Sequence, residues 1–258
     1  DPDAAYGIIT AIADDGTGGI WLGVFGRGLE HFDPQQGSFT THEYHLEEVQ
    51  ASLAFYRQIY VVFRAGDGHV WVGTTRGLYE LDPVTGAAMH YDHDPQDPGS
   101  LSSSEIHAIM EDRTGRLWIG TWGGGLNQLD RATGKFTHYT VNDGLPNNTV
   151  YCILEDQSGR LWLSTNNGLS RFDPGARTFR NYDWGDGLQS NEFNTGSCSL
   201  TSQGEMLFGG VNGFNAFYPD QVQDSSVVSP ILVTALTREG KPLSLDRAVE
   251  NLGELTLR

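Results

Sequence analysis

The sequence predicts an all-β protein, a β-propeller of four-stranded antiparallel blades in which five repeats can be recognised. The first observation is a short apolar motif centred on tryptophan that recurs at intervals of 44 to 50 residues, the scale of a propeller blade. The second is that 33 of 258 residues are glycine, about twice the usual share, as short strands joined by tight turns require. The motif centres on Trp21, Trp71, Trp118 and Trp162, and on Leu207 in a weaker fifth copy.

Each repeat is interpreted as four short strands. An alternating segment comes first, a polar turn follows, and the tryptophan motif forms the second strand. A glycine turn leads to a third strand, and an aromatic fourth strand completes the unit. We interpret the four Trp residues as blade-to-blade packing, because a buried indole removes a large apolar area from water. The segment 45–55 is ambiguous and could form a turn of helix in a long loop. In the third repeat the parts are residues 106–112, 113–115, 117–120, 123–125, a strand ending at Asp130 and residues 136–139.

The domain organisation follows from the repeats. Residues 1–227 are expected to hold the five blades, and residues 228–258 to be the start of a truncated β-sandwich or a set of closing strands. Propellers have about 4 to 8 blades, so five blades either close into a ring or form an arc of a larger one. We favour the larger array. An arc has two unpaired blade faces, which predicts self-association or a dimer.

The charge balance restricts the partners. The formal net charge is −17, and clustered cations are needed to bind phosphate backbones, so nucleic acid is not expected as a partner. No apolar run approaches the length of about 20 residues that spans a bilayer, so membrane attachment is expected only through a downstream helix. The chain opens on Asp1-Pro2-Asp3, which indicates a piece of a longer protein.

Cys152 and Cys198 are the two cysteines of the chain. They lie one position out of step in neighbouring repeats. We therefore expect two free, buried thiols rather than a disulfide, and the redox compartment cannot be read from them.

Several motifs carry a resemblance to a known family. The repeats resemble the two-component regulator propeller repeats of bacterial sensor proteins, and the segment from Pro230 resembles the first strands of the Y_Y_Y β-sandwich that follows such propellers. The resemblance implies a periplasmic sensor region of a hybrid histidine kinase or a diguanylate cyclase, with oligosaccharides among the possible ligands. The matching residues are Gly115-Arg116-Leu117-Trp118-Ile119-Gly120-Thr121 and residues 93–102, 123–127, 186–194 and 209–214.

One face of the propeller is the expected ligand face. Loops between strands 2 and 3 lie there together with loops that enter the next blade. Aromatic platforms beside Asn and Arg side chains suit sugars, because rings stack on aromatics and hydroxyls need paired donors and acceptors. Asn beside Gly also favours turns, and solvated Arg residues are common in them, so a structural interpretation stays open for several positions. The candidate ligand-binding residues are Phe25, Arg27, Arg76, Trp122, Asn166, Trp184, Asn191 and Asn194.

Three functions are compatible with these observations. The first is a non-enzymatic ligand-sensing fragment, with no catalytic residue, metal or cofactor. The second is a propeller lyase or hydrolase acting on a glycan, for which His107 is the one His placed near the channel. The third is a protein-interaction scaffold. Asp92, His93, Asp94 and Asp97 are interpreted as a structural turn, and His42, His90 and His138 recur in one repeat position, which favours packing over catalysis.

Overall fold

The computed structural model describes residues 8–41, 58–222, 237–238 and 241–242. The ambiguous segment 45–55 and His42 lie outside the described residues, as does most of 228–258. The chain divides into two compact units, Asp1–Gln221 and Val222–Arg258. In the second unit the described residues form one short antiparallel pair of strands. The expected β-sandwich start therefore stays a prediction.

The first unit confirms the five-bladed, all-β propeller arrangement. Its strands form consecutive antiparallel sheets, one for each sequence repeat, and neighbouring strands of each sheet follow one another in the chain. Four sheets have four strands, whereas the fifth has three among the described residues and is followed by a 3₁₀ turn at Pro219–Gln221. The strands are β1 (Ile9–Asp14), β2 (Ile20–Val24), β3 (Gly28–Asp33), β4 (Ser38–Thr41), β5 (Ile59–Arg64), β6 (Val70–Thr74), β7 (Gly77–Leu81), β8 (Ala88–Tyr91), β9 (Ile106–Glu111), β10 (Leu117–Thr121), β11 (Gly125–Asp130), β12 (Lys135–Tyr139), β13 (Val150–Glu155), β14 (Leu161–Thr165), β15 (Gly168–Asp173), β16 (Thr178–Tyr182), β17 (Phe193–Leu200), β18 (Met206–Gly210), β19 (Gly213–Phe217), β20 (Thr237–Arg238) and β21 (Lys241–Pro242).

The turn between the second and third strands explains one of the repeated glycines. Gly125 has a φ of 84°, in the left-handed region that side chains disfavour. A Cβ added there would collide with the carbonyl oxygen of Tyr139. Gly125 also donates its backbone N–H to the carbonyl oxygen of Asn148 in the loop entering the next blade, at 2.7 Å. This glycine therefore allows a close approach that brings together the two loop sets of the expected ligand face.

The core is divided into layers between blades. Each of three apolar clusters joins the tryptophan strand of one blade to the innermost strand of the next. Trp118, for example, packs with Val150 and Ile153 of the following blade. All four repeated Trp residues are buried. The layers hold the innermost strands in fixed positions around one axis.

The end blades have uncovered apolar faces. Ile9 and Ile12 of β1 are 52% and 66% exposed, and Phe214 of β19 is 65% exposed. In the blades between them, the same positions are buried against a neighbouring blade. The described residues therefore leave one blade face uncovered at each end of the series. The buried equivalents are Ile59, Ile106 and Val150 for Ile9, then Val62, Ile109 and Ile153 for Ile12, and Leu29, Leu78, Leu126 and Leu169 for Phe214.

The expectation of two free thiols is wrong. Cys152 and Cys198 form a disulfide that joins β13 to β17, with their Cα atoms 6.2 Å apart. Successive residues of a strand point to opposite faces of its sheet. Positions one step out of register in adjacent blades therefore point toward each other, one to the following blade and one to the preceding blade. The offset that argued against a bond is the geometry that permits it.

Candidate functional site

A repeated β-bulge shapes the centre of the propeller. In the first four blades the pairing of the innermost strand skips one residue, at Thr10, Tyr60, His107 and Tyr151. In β17 the irregularity lies between Phe193 and Cys198. Bulges turn a side chain away from the regular alternation of a strand and are frequent beside functional sites.

The bulged residues of three blades meet each other. The rings of Tyr60 and His107 stack with centroids 4.2 Å apart, and the ring of Tyr151 contacts that of His107 edge-on at 5.7 Å. Thr195, in the irregular part of β17, places its Oγ1 atom 2.8 Å from Nδ1 of His107. We call this group, with the side chains that contact it, the axial cluster. Its members are Tyr60, Glu105, His107, Trp122, Tyr151, Asn166 and Thr195.

His107 is the centre of the axial cluster and is 3% exposed. Its Nε2 atom lies 3.0 Å from Oε1 of Glu105, and its Nδ1 atom bonds Thr195. Burial lowers the pKa of His107, although Glu105 opposes the shift, so the ring is neutral at neutral pH. A carboxylate can only accept, so Nε2 carries the proton and donates it, and Nδ1 accepts from the Thr195 hydroxyl. Both nitrogens are engaged, which suits a positioning role better than that of a general base.

Two carboxylates act on the tyrosines of the axial cluster. Burial raises the pKa of Tyr60, and the charge of Glu105 and its hydrogen bond with Tyr60 raise it further. Burial also raises the pKa of Tyr151; its bond to Asn166 lowers it, whereas the charges of Glu192 and Glu105 raise it. Glu192 directly precedes β17, at the edge of the cluster. The electrostatic environment of this centre is therefore negative.

Trp122 is the exposed member of the axial cluster. Its ring is 5.4 Å from that of His107 and 5.9 Å from that of Tyr151, and the residue is 46% exposed. Its backbone N–H donates to the carbonyl oxygen of Glu105 at 2.9 Å. The Tyr151 hydroxyl donates to Oδ1 of Asn166 at 2.9 Å. The structure thus brings together two of the predicted residues, Trp122 and Asn166, through Tyr151.

Three other predicted residues lie at the junction between the fourth and fifth blades. Trp184 begins a 3₁₀ turn that ends at Asp186, and its side chain is 71% exposed. Asn191 accepts the backbone N–H of Trp184 at 2.8 Å, so this side chain supports the turn. Asn194 is exposed in the irregular part of β17.

The remaining predicted residues lie in the first two blades. Phe25 is partly exposed after β2. Arg27 pairs with the buried carboxylate of Glu30 at 2.7 Å. The carbonyl oxygen of Arg76 bonds Nε2 of His90 at 2.8 Å, and the residue is exposed. Among the residues that the structure describes, none of these three forms a hydrogen bond, an ion pair or a ring contact with the axial cluster.

Sequence reasoning missed Tyr60, Tyr151, Glu105 and Thr195. A signal was present for the two tyrosines. In the aligned repeats one position of the innermost strand holds Thr10, Tyr60, His107 and Tyr151, between Ile, Val, Ala or Cys neighbours. A polar or aromatic residue at one fixed position of an otherwise buried strand indicates a bulge. The approach of Thr195 gave no such signal, because it depends on contact between blades that are not adjacent.

A second concavity lies away from the predicted residues. It has a volume of about 270 Å³ and lies among the polar turns of the third, fourth and fifth blades. At the end of β13, Glu155 accepts the backbone N–H of Arg113 in the preceding blade at 3.0 Å. Leu200 holds the equivalent place at the end of β17 and cannot make such a bond. Leu200 is one of the residues that line the concavity.

The acidic loop after β8 is held by internal hydrogen bonds. Nδ1 of His93 bonds the carbonyl oxygen of Leu101 at 2.6 Å, and Asp94 accepts the backbone N–H of Gln96 at 2.8 Å. Within the described ranges, no group of three or more His, Cys, Asp or Glu side chains is arranged to hold a metal ion. No helix in the same ranges is long and apolar enough to cross a membrane.

Comparison with known proteins identifies the repeats. Residues 100–123 and 144–167 match the sequence model of the two component regulator propeller. These segments are two component regulator propeller repeats. They contain the Trp118 and Trp162 motifs and the loops that lead into β9 and β13.

A longer protein matches most of the chain. The chain is 27% identical over 237 residues to "Histidine kinase P4" of Formosa agariphila, covering 89% of this chain and 17% of that protein. The chain therefore spans about a sixth of the length of this curated relative.

Two solved structures are similar to the chain. The extracellular domain of a putative hybrid two component system from B. thetaiotaomicron matches 95% of this chain and 44% of its own, with 20% identity and a TM-score of 0.44. A catalytically inactive virginiamycin B lyase from Staphylococcus aureus, with quinupristin, matches 83% of this chain and 71% of its own, with 16% identity and a TM-score of 0.60. The second likeness shows a shared propeller fold.

Proposed function

We propose that this chain is the extracytoplasmic, ligand-sensing propeller of a bacterial membrane signalling protein and is not itself an enzyme. The regulator propeller repeats and the histidine kinase relative support the signalling role. The output domain of the whole protein is proposed to be a histidine kinase or a diguanylate cyclase. The matched part is a small share of that relative, so the output domain is proposed to lie outside the propeller.

The Cys152–Cys198 disulfide supports a periplasmic location. Disulfides persist in oxidising compartments and are rare in the bacterial cytoplasm. The bond joins the innermost strands of adjacent blades, so it also fixes the strand that carries Thr195. A location outside the cytoplasm would give the propeller direct access to external ligands.

The observation that carries the binding proposal is the convergence at the axial cluster. Aromatic and polar side chains from four blades meet at one mouth of the propeller, and Trp122 remains half-exposed above the buried His107. Binding sites combine apolar or aromatic surface with a few fixed polar groups in this way. A sugar ring could stack on Trp122, and its hydroxyls could bond Glu105 and Asn166. An oligosaccharide is therefore one proposed ligand.

Ligand binding at this place could be transmitted through the blades. The bond from His107 to Thr195 joins the third and fifth blades, and the stack with Tyr60 adds the second. A ligand that bonds Glu105 would compete for the carboxylate that orients His107. The proposed consequence is a change in the relative positions of the innermost strands, which the rest of the signalling protein would detect.

The test is a ligand screen with paired variants. Wild-type protein is screened against a library of oligosaccharides and other small molecules by the shift in melting temperature, and hits are measured by calorimetry. Trp122→Ala is expected to abolish binding of the hits while the protein stays folded, whereas Phe39→Ala, an exposed aromatic residue of β4 outside the cluster, is the matched control. Hits that bind Trp122→Ala with unchanged affinity would contradict the site assignment.

A further inference from the structure

The charges around the axial cluster restrict the ligand further than the aromatic rings do. Glu105 and Glu192 are the charged residues that act on the pKa values of Tyr60, His107 and Tyr151, and both carry carboxylates. Lys or Arg does not contribute to these effects within the part of the chain that the structure describes. Carboxylates from two blades therefore give a negative field to the cluster that contains the half-exposed Trp122.

Glu105 retains the capacity to bind a ligand. Its side chain is 36% exposed, although it accepts hydrogen bonds from His107 and Tyr60. A carboxylate has about four lone-pair positions on its two oxygens, so two partners leave room for a third. The Trp122 ring and the Glu105 carboxylate share His107 as a neighbour, since the Trp122 and His107 ring centroids are 5.4 Å apart and Oε1 of Glu105 lies 3.0 Å from Nε2 of His107. Glu192 is exposed, and its charge raises the pKa of Tyr151.

The combination of aromatic faces and carboxylates favours a cation. An ammonium group near the face of a Trp or Tyr ring is attracted by the ring quadrupole, and desolvation strengthens this attraction. A neighbouring carboxylate adds a charge-assisted hydrogen bond. An anionic ligand would face both carboxylates and the negative ring faces, which is unfavourable on all counts. The net charge of −17 adds a long-range field of the same sign.

We infer that the ligand of the axial cluster is cationic, an amine-bearing sugar or a similar organic ammonium compound, whose ammonium group binds at the Trp122 ring and the Glu105 carboxylate, in a negative field to which Glu192 contributes. This inference rests on the proposed function, because it names the ligand class of the same site. It differs from that proposal in a testable way, since an oligosaccharide site has no general need for positive charge.

The test uses ligand pairs that share a sugar backbone and differ in whether they carry a positive charge. Glucosamine oligosaccharides and their N-acetylated counterparts share a backbone, and only the former carry ammonium groups. Binding is measured by calorimetry on the whole chain at about pH 6, above the usual pKa range of a glutamate carboxyl. The amine form is expected to bind at least about tenfold more tightly than the acetylated form, and added salt is expected to weaken it.

Charge-neutral variants complete the test. Glu105→Gln and Glu192→Gln are each expected to weaken binding of the amine form about tenfold, and the amide introduced by Glu105→Gln retains an acceptor oxygen for His107 and Tyr60. Glu205→Gln removes a charge next to β18, outside the cluster, and is the matched control expected to bind as wild type. If the acetylated form binds as well as the amine form and loses affinity in Trp122→Ala, the cationic class is wrong while the ligand-sensing function stands. Amine binding that is insensitive to both Gln variants, or no binding of the amine form at all, also overturns the inference.

Discussion

The carboxylate of Asp112 accepts a 2.8 Å hydrogen bond from the indole nitrogen of Trp118. The same oxygen, Oδ2, accepts from Nε of Arg116 at 2.6 Å, so one atom of a buried side chain satisfies two side-chain donors. The preceding Glu111 points the other way and accepts the backbone N–H of Gly66 in the preceding blade at 2.7 Å. Adjacent carboxylates at a strand end thus divide two tasks, one within the blade and one between blades.

The same relationship recurs in the fourth blade and is missing in the second. Asp156 accepts the indole N–H of Trp162 at 3.1 Å. In the second blade Ala65 occupies the equivalent turn position, and Nε1 of Trp71 has no hydrogen-bond partner among the residues that the structure describes. The guanidinium of Arg131 lies 5.2 Å from the centre of the Trp71 ring instead.

Removing the Asp112 carboxylate is expected to destabilise the propeller. Asp112→Ala leaves the buried indole N–H of Trp118 and the guanidinium of Arg116 without their acceptor, and we expect the free energy of unfolding to fall by about 2–3 kcal/mol. Urea denaturation followed by Trp fluorescence measures this change. Asp130→Ala, which removes only the caps of an exposed turn, is the control and should lower it by about 1 kcal/mol or less. Equal losses in the two variants would contradict the role assigned to Asp112.

The stability of the protein is expected to fall in acid partly through Asp112. Burial raises the pKa of this carboxyl, but its hydrogen bonds to Thr114, Trp118 and Arg116 outweigh burial and lower the pKa overall. Since the folded pKa lies below the unfolded value of about 4, the stabilisation is complete above that value and is lost as pH falls through the folded pKa. The free energy of unfolding of Asp112→Asn should therefore decrease less steeply with acid than that of wild type. Parallel slopes for the two proteins between about pH 5 and pH 2 would show that Asp112 does not contribute.

Supplying the missing acceptor in the second blade is expected to stabilise the protein. Ala65→Asp would place a carboxylate where Asp112 and Asp156 stand in their blades, within reach of Nε1 of Trp71. Arg131, which lies over that ring, would compensate the added charge. We expect the free energy of unfolding to rise by about 1 kcal/mol, measured by urea denaturation. The control Ala65→Ser adds a polar group without the charge, and a loss of stability in Ala65→Asp would show that the blade has adapted to Ala65.

The disulfide is expected to contribute strongly to stability. The two cysteines are 46 residues apart in sequence, and a loop of that size corresponds to roughly 4 kcal/mol by the loop-entropy relation. The double variant Cys152→Ser, Cys198→Ser should lose most of that amount. Titration of free thiols in the unfolded, unreduced wild type should detect none, whereas two thiols per chain would restore the original expectation of free cysteines.

The repeat was sufficient to predict the strands and their order within each blade. Period-two alternation, glycine turns and a fixed aromatic position depend on local sequence, and they located the four buried Trp residues. The disulfide was missed because Cys152 and Cys198 were compared as positions of aligned repeats. The way in which two neighbouring sheets face each other was left out of that comparison. Among the residues that the structure describes, the fifth blade departs from the pattern, since its third strand is followed by the 3₁₀ turn at Pro219–Gln221.

The site was only partly predictable. Trp122 and Asn166 could be found because each follows the second strand of its blade, on one face of the propeller. His107 could be found because it is the second residue of an innermost strand. Its contact with Thr195 depends on the curvature of the whole series of blades, which local patterns do not contain. That contact changes the interpretation of His107 from the candidate histidine of an enzyme to a buried, neutral group whose two nitrogens are both hydrogen-bonded.

The central claim, that the axial cluster binds the ligand, is tested most directly by the indole N–H resonances of the six Trp residues. We would assign them by single substitutions in a ¹⁵N-labelled chain and titrate with the glucosamine oligosaccharides. The account predicts that the Trp122 resonance shifts in a saturable manner, while the resonances of the buried Trp21, Trp71, Trp118 and Trp162 and of the exposed Trp184 stay in place. A saturable shift of Trp184 with no change at Trp122 would place the ligand elsewhere and contradict the account.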